Sequence, residues 1–206
     1  MIDRILERRI CPVVVLDRVD DAEPLADALL KGGLDVMEIT FRTDAAADCI
    51  EYIASHCPDV IVGAGTLLSP DQVQRAKDAG ATFGLAPGLN PKVLEKAQSL
   101  GMPFSPGVMT PTDVEQALGL GCDLLKFFPA GAAGGPKMLQ ALAGPYAHTG
   151  VKFIPTGGIN RANMREYLDL SVVAAIGGTW MVDSTLILEK RWEEITWLTR
   201  EALAAR

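Results

Sequence analysis

The chain has 206 residues, of which 49% are hydrophobic and 22% are charged, the composition of an ordinary globular protein. Its formal net charge of −7 argues against nucleic acid and against an anionic membrane surface as partners. Because its four cysteines form no C-x-x-C pair and only two histidines are present, we expect reduced thiols, no His-rich metal site and no cofactor.

The first ten residues carry charges throughout, where a secretory signal peptide needs an apolar core. They predict instead an N-terminal helix with four apolar residues on one face: Ile2, Ile5, Leu6 and Ile10. No apolar run in the chain approaches the roughly 18 residues that a membrane span needs. We therefore expect a soluble, cytoplasmic protein that forms one domain over residues 1–206.

Short apolar runs rich in β-branched residues alternate with amphipathic segments, a pattern of repeated βα units. The strands are predicted at Cys11–Leu16, Asp35–Thr40, Val60–Ala64, Thr82–Ala86, Pro103–Ser105, Asp123–Phe127, Lys152–Pro155 and Val172–Ile176. The helices are predicted at residues 21–31, 44–57, 70–79, 91–100, 112–119, 135–143, 160–168 and 188–204. Eight such strands with right-handed crossovers close most simply into a single α/β barrel, the (β/α)8 or TIM barrel. An open doubly wound sheet is the alternative, although no G-x-G-x-x-G follows the first strand.

One lysine lies inside a predicted strand, in the segment Leu124-Leu-Lys-Phe-Phe-Pro129. Burial penalises the ammonium form of such a side chain and favours the neutral amine, which is nucleophilic. Lys126 is therefore a candidate for covalent catalysis. The structural alternatives are a lysine paired with a carboxylate and a lysine that reaches solvent at the strand end.

A glutamate and an arginine stand in the second predicted strand and just after it, in Asp35-Val-Met-Glu-Ile-Thr-Phe-Arg42. By strand alternation Glu38 and Thr40 share one face, which points into the barrel if the intervening residues face the helices. A carboxylate there could pair with Lys126 and act as the general acid/base. The guanidinium of Arg42 could bind a substrate carboxylate. A purely structural Glu–Lys ion pair is the alternative.

Glycine-rich segments occur at the ends of three other predicted strands: Val62-Gly-Ala-Gly-Thr66, Pro155-Thr-Gly-Gly-Ile-Asn160 and Ile176-Gly-Gly-Thr179. Small residues at a strand end allow a ligand to approach the backbone. The last two segments are predicted as turns after strands seven and eight, each placing backbone N–H groups where a helix begins. Those two loops commonly bind phosphate in this fold.

These strand-end residues, in this order, resemble the 2-keto-3-deoxy-6-phosphogluconate (KDPG) aldolase family, which also cleaves 4-hydroxy-2-oxoglutarate. The likeness extends from about Val13 to the last helix. The segments that carry it are Glu38-Ile-Thr-Phe-Arg-Thr43, Val62-Gly-Ala-Gly-Thr66, Ala86-Pro-Gly88, Lys126-Phe-Phe-Pro-Ala130, Pro155-Thr-Gly-Gly158 and Ile176-Gly-Gly178. The Lys-Phe-Phe-Pro-Ala segment together with the spaced glutamate and arginine is highly specific.

The resemblance implies a role for each matching residue. Lys126 would form the Schiff base, Glu38 would transfer protons, and Arg42 with Thr66 would bind the pyruvate carboxylate. The residues that would line the pocket are Pro87 and Phe128, with Thr156 influencing stereochemical preference near the aldehyde. The residues that would bind phosphate are Gly157, Gly158, Gly177, Gly178 and Thr179. Two departures concern this last group: Thr179 stands where the family often has serine, and Ala132-Ala133 lacks polar side chains that some members carry.

The implied activity is that of a class I, Schiff-base aldolase that cleaves KDPG to pyruvate and glyceraldehyde 3-phosphate. Its partners would be small keto acids and aldehyde phosphates, and its implied assembly is a homotrimer. Three other functions stay open at the level of the sequence. They are an aldolase for the phosphogalactonate epimer, a non-catalytic barrel that binds a phosphate ligand, and a metal-dependent lyase or phosphosugar isomerase.

Overall fold

The strands of the barrel follow one another in parallel along the chain, in a computed structural model that describes residues 6–206. They are β1 Ile10–Val14, β2 Val36–Thr40, β3 Ile61–Gly65, β4 Gly84–Leu85, β5 Phe104–Ser105, β6 Gly107–Val108, β7 Leu124–Phe127, β8 Lys152–Pro155 and β9 Ile176–Gly178. The six strands β5-β4-β3-β2-β1-β9 form one sheet and β6-β7-β8 form the other.

The two sheets join into a closed barrel of eight staves. The segments β5 and β6 are two halves of one stave, interrupted at Pro106, whose nitrogen has no hydrogen to donate. The first half pairs with β4 and the second with β7. A bridge between Thr156 and Gly177 connects β8 to β9, which pairs with β1. The predicted (β/α)8 barrel is confirmed.

Helices cover the outside of the barrel. They are α1 Ala22–Gly32, α2 Ala46–His56, α3 Pro70–Asp78, α4 Pro91–Ser99, α5 Pro111–Gly119, α6 Gly135–Ala143, α7 Met164–Leu168, α8 Ser184–Leu188 and α9 Trp192–Ala204, with 3-10 turns at Val19–Asp21 and Gly144–Thr149. Three helices begin at a proline that follows a side-chain cap, at Ser69, Asn90 and Thr110. Each cap oxygen accepts a backbone N–H that the first helical turn leaves free.

Three predicted helices differ from the structure. The one predicted over 160–168 begins only at Met164, as α7, after a turn at residues 161–163. The helix predicted over 188–204 begins only at Trp192, as α9, because Lys190 adopts a left-handed φ of 55° that an α-helix does not accommodate; the separate short helix α8 ends at Leu188. Of the predicted N-terminal helix, residues 6–8 are helical and residues 1–5 lie outside the described residues. Ile10 was assigned to that helix wrongly: Arg9 has a φ of 58°, and Ile10 begins β1.

The last strand also lies later than predicted. The segment Val172–Ile176 was expected to form it, but β9 is Ile176–Gly178, and Val173 makes only an isolated bridge to Phe153. The Gly-Gly pair therefore belongs to the strand itself and does not form a turn after it. Within residues 6–206, no helix is both long enough and apolar enough to cross a membrane.

Candidate active site

Lys126 lies in β7 with its side chain inside the barrel, and only 4% of its surface is exposed. The strand is apolar on both sides of it, with Leu125 and Phe127 fully buried. These neighbours pack the strand against the helices, because both faces of a parallel barrel strand are buried. The alternation of the strand then directs the lysine inward, as the sequence predicted.

Glu38 reaches the same point from β2, four staves before the lysine's strand along the chain. Its Oε1 accepts a hydrogen bond from Lys126 Nζ at 3.0 Å, and the residue is 1% exposed. Water is largely excluded from both groups, so the ionic interaction between them is stronger than at a surface. The predicted pairing of the glutamate with the lysine is confirmed by this contact.

The space for the Glu38 side chain exists because residue 65 is glycine. A Cβ atom on Gly65 would lie 1.9 Å from Glu38 Oε1 and 2.6 Å from its carboxyl carbon. The backbone of Gly65 is an ordinary strand backbone, so the requirement for glycine comes from this close approach. Gly65 belongs to a predicted strand-end segment, but its contact with Glu38 is visible only in the folded chain.

We expect Gly65→Ala to displace the Glu38 carboxylate and to lower kcat by about 100-fold, since a shift of about 1 Å in a catalytic group has that effect. The measurement is steady-state turnover, with circular dichroism to show that the variant is folded. Gly119→Ala is the control, because a Cβ atom there meets nothing within 4 Å. Equal rates for the Gly65→Ala variant and the wild type would contradict the assigned position of Glu38.

A polar cavity of about 240 Å³ opens at the carboxyl ends of the strands, above the Lys–Glu pair. The predicted site residues that line it are Arg42, Thr66, Pro87, Lys126, Phe128, Thr156, Gly157, Gly158, Gly178 and Thr179. The cavity is also lined by Val13, Thr40 and Ile159, to which the sequence assigned no role. All six segments that carry the family resemblance therefore contribute residues to the wall of one ligand-sized cavity.

The backbone of Thr66 and the side chain of Arg42 adopt specific conformations at this cavity. Thr66 follows β3 with a φ of 58°, a left-handed conformation that is uncommon outside glycine and that occurs often at functional sites. Arg42 follows β2, and its Nε donates a hydrogen bond to Thr40 Oγ1 at 3.1 Å. The Lys126 amine lies 5.9 Å from the centre of the Phe128 ring, which covers one side of it.

The Gly-Gly segments differ from the prediction in their local structure. Neither one opens a helix directly: α7 begins at Met164, after a turn, and α8 begins at Ser184. Gly157 and Gly158 have φ angles of 97° and 74°, which glycine adopts readily, and both line the cavity.

Gly177 is the one predicted phosphate residue that does not line the cavity. It lies beneath Thr156, whose Oγ1 would be 2.4 Å from a Cβ atom at position 177. Its glycine is therefore explained by the close packing of β8 against β9 at the barrel closure. Gly178 faces the cavity from the same strand.

A second cavity, of about 250 Å³, reaches Glu38 from the amino ends of the strands. Apolar side chains provide most of its wall, among them Phe83, Leu94, Met102 and Phe104. Cys11 lines it too, and burial, reinforced by the Glu38 charge, raises the pKa of that thiol far above its ordinary value. The cavity above Lys126, with an arginine and several hydroxyls, is the one whose chemistry suits an anionic substrate.

Within residues 6–206, no group of three or more histidine, cysteine, aspartate or glutamate side chains is arranged to hold a metal ion. The cysteines at positions 11, 49, 57 and 122 are free thiols. Fold and site together define an α/β-barrel protein with a buried lysine–glutamate pair at the base of a polar cavity.

Comparison with known proteins assigns this barrel to a family. A family model for KDPG and KHG aldolase matches residues 1–198. The chain is 47% identical over 203 residues to the 2-dehydro-3-deoxy-phosphogluconate aldolase of Haemophilus influenzae, covering 98% of this chain and 95% of that protein. It is 43% identical to the KHG/KDPG aldolase of Escherichia coli, with 94% and 90% covered.

A solved structure agrees with these sequence relatives. The KDPG aldolase of Legionella pneumophila, with pyruvate captured as a covalent carbinolamine intermediate, matches with a TM-score of 0.89 and 42% identity, covering 93% of this chain and 92% of that one. The chain belongs to the KDPG and KHG aldolase family, and the resemblance inferred from the sequence is confirmed.

Proposed function

We propose that this protein is a class I aldolase that cleaves KDPG to pyruvate and glyceraldehyde 3-phosphate, and that it also acts on 4-hydroxy-2-oxoglutarate. The observation that carries the proposal is the buried contact of Lys126 Nζ with Glu38 at the base of the polar cavity. The names of the relatives support the two substrates, and the covalent pyruvate adduct of the Legionella pneumophila enzyme supports a Schiff base.

The first half of the proposed reaction forms the covalent intermediate. Transfer of a proton from the Lys126 ammonium to the Glu38 carboxylate gives the neutral amine, which attacks the C2 ketone of the substrate and gives a carbinolamine. Glu38, at 3.0 Å from the amine, donates the proton with which the C2 oxygen leaves as water. The product of this half is a protonated imine, whose positive charge attracts electrons from the adjacent C3–C4 bond.

Carbon–carbon cleavage then needs a base. The Glu38 carboxylate takes the proton of the C4 hydroxyl, and the C3–C4 bond breaks as the C4 carbonyl forms. The electron pair of the broken bond forms the C2–C3 double bond and the imine π pair moves to nitrogen, which gives an enamine. Glyceraldehyde 3-phosphate leaves at this point. Protonation of the enamine at C3 and hydrolysis of the imine release pyruvate and restore the Lys126 amine.

The remaining lining residues have proposed roles in binding. Arg42 supplies a guanidinium and Thr66 a hydroxyl for the carboxylate of the keto acid. Thr156 would contact the aldehyde portion of the substrate, and Pro87 and Phe128 would form apolar parts of the cavity wall. For the phosphate we propose Gly157, Gly158, Gly178 and Thr179, with Gly177 supporting the strand beneath Thr156.

Three further expectations also stay proposals. They are the homotrimer that the resemblance implies, and the cytoplasmic location and the single domain over residues 1–206 that the sequence predicts. The ratio of kcat/KM for KDPG to kcat/KM for its galactonate epimer would measure which of the two substrates the enzyme prefers. A non-catalytic barrel has no need of a buried lysine that faces a glutamate, and a metal-dependent lyase would lose activity to a chelator.

The experiment that tests the proposal is the intact mass of the protein after incubation with pyruvate and borohydride. We expect a single reduced pyruvate adduct, which peptide mapping places on Lys126, because borohydride traps an imine as a stable secondary amine. The same treatment without pyruvate is the control. No adduct on the folded protein would contradict the Schiff-base mechanism, and an adduct on another lysine would contradict the assignment of Lys126.

A further inference from the structure

The guanidinium of Arg42 has one polar anchor in the described part of the chain. Its Nε donates to Thr40 Oγ1 at 3.1 Å, and no carboxylate of residues 6–206 forms an ion pair with it. The side chain is exposed at the mouth of the cavity that Lys126 lines. An exposed arginine samples many rotamers, so its direction depends on this single contact.

Thr40, in contrast, is fixed within the barrel wall. It is 1% exposed, it belongs to β2, and its hydroxyl donates to the backbone carbonyl of Val14 in β1 at 2.9 Å. A hydroxyl has one hydrogen to donate, and a carbonyl only accepts. The lone pairs of Thr40 Oγ1 therefore remain free to accept from Arg42 Nε–H, so in this contact the arginine is the donor and the threonine the acceptor.

We propose that Thr40 is a positioning residue for Arg42, which it holds so that the two terminal nitrogens of the guanidinium face the substrate carboxylate. The inference rests on the proposed function, in which Arg42 binds that carboxylate. The contact occupies Nε and leaves the four N–H groups of Nη1 and Nη2 for a ligand. Binding then loses less conformational freedom than it would with a mobile arginine.

The variants that test the inference remove or retain the hydroxyl. Thr40→Val keeps the shape and the strand propensity of threonine but removes the acceptor, and Thr40→Ala removes it in a second way. Thr40→Ser retains it. The matched control is Thr82→Val. The Thr82 hydroxyl also donates a hydrogen bond to a strand carbonyl, that of Val62 at 2.9 Å, but within residues 6–206 it makes no hydrogen bond with Arg42.

The readout is the concentration of ketone that gives half-maximal borohydride adduct on the protein. Pyruvate carries the carboxylate, and methyl pyruvate presents the same ketone without the anion. We expect Thr40→Val to raise the half-saturating pyruvate concentration by about tenfold, the effect of losing one hydrogen bond to a charged group. The half-saturating methyl pyruvate concentration of Thr40→Val should equal that of the wild type. Thr82→Val should have wild-type half-saturating concentrations for both ketones. Thr40→Ser should keep most of the wild-type affinity for pyruvate.

Three other outcomes would overturn the inference, and the third would overturn the proposed function as well. An equal change for pyruvate and methyl pyruvate in Thr40→Val would show a structural role without carboxylate selectivity and would overturn the inference. A half-saturating pyruvate concentration that is unchanged in both Thr40→Val and Thr40→Ala would overturn the inference as well. The proposed function would still stand in that case, because the covalent pyruvate adduct would still form. If the wild type forms no adduct, the proposed function fails and this inference fails with it.

Discussion

Replacing Lys126 by alanine is expected to lower kcat by roughly 10⁴-fold or more, because it removes the amine that forms the proposed covalent intermediate. The protein should remain folded. Removing the cation leaves the Glu38 carboxylate buried without its partner, at a cost of about 3–5 kcal/mol. That is less than the stability of most domains, which is about 5–15 kcal/mol. We therefore expect an inactive protein with a lowered Tm.

The measurements are turnover, circular dichroism and thermal unfolding. Lys152→Ala is the matched control. Lys152 is a second strand lysine, paired in register with Leu124, but it is exposed and its amine donates a hydrogen bond to the backbone carbonyl of Ser171. It should keep wild-type activity. Near-normal turnover in folded Lys126→Ala would rule out the covalent mechanism.

A double variant separates catalysis from stability at this site. Lys126→Met combined with Glu38→Gln removes both buried charges at once, and neutral replacements of similar size are often tolerated. We expect the double variant to be about as stable as the wild type and still inactive. Loss of activity would then have no explanation in unfolding.

The second large effect is expected at Glu38. Glu38→Gln keeps the size of the side chain and an oxygen that can accept from Lys126 Nζ, but it abolishes proton transfer. General acid/base groups contribute about 10²–10⁴-fold, so we expect kcat to fall by about 1,000-fold. The barrel should stay intact, because the amide still satisfies the lysine by a hydrogen bond.

The exchange of the pyruvate methyl protons in D2O, followed by NMR, isolates the step. Enamine formation requires a base at C3, so exchange should be lost with turnover in Glu38→Gln, while borohydride still traps an adduct at high pyruvate. Turnover within a few fold of the wild type would reduce Glu38 to a structural partner of the lysine. Unfolding of this single variant, with no change in the rate of the folded fraction, would support the same reading.

The sequence predicted those parts of the site that depend on patterns of a few neighbouring residues. The apolar neighbours of Lys126 indicated that this lysine lies within a strand, and the alternation of side chains along β2 indicated that Glu38 and Thr40 share one face. The weaker predictions were those with little local signal. The fifth stave is only two short segments around Pro106, and the apolar run Val172–Ile176 contains one bridged residue and the first residue of β9.

The sequence by itself determined the βα alternation, the strand that carries the lysine and the residue types that could bind an anion, because periodicity and capping act over a few residues. Only the tertiary structure decided that Lys126 and Glu38, 88 positions apart, meet at 3.0 Å. It also decided that Gly65 leaves the space for that glutamate and that Thr40 anchors Arg42. These contacts depend on the register of strands that are distant in the chain, and barrel closure, a property of all eight staves together, sets that register.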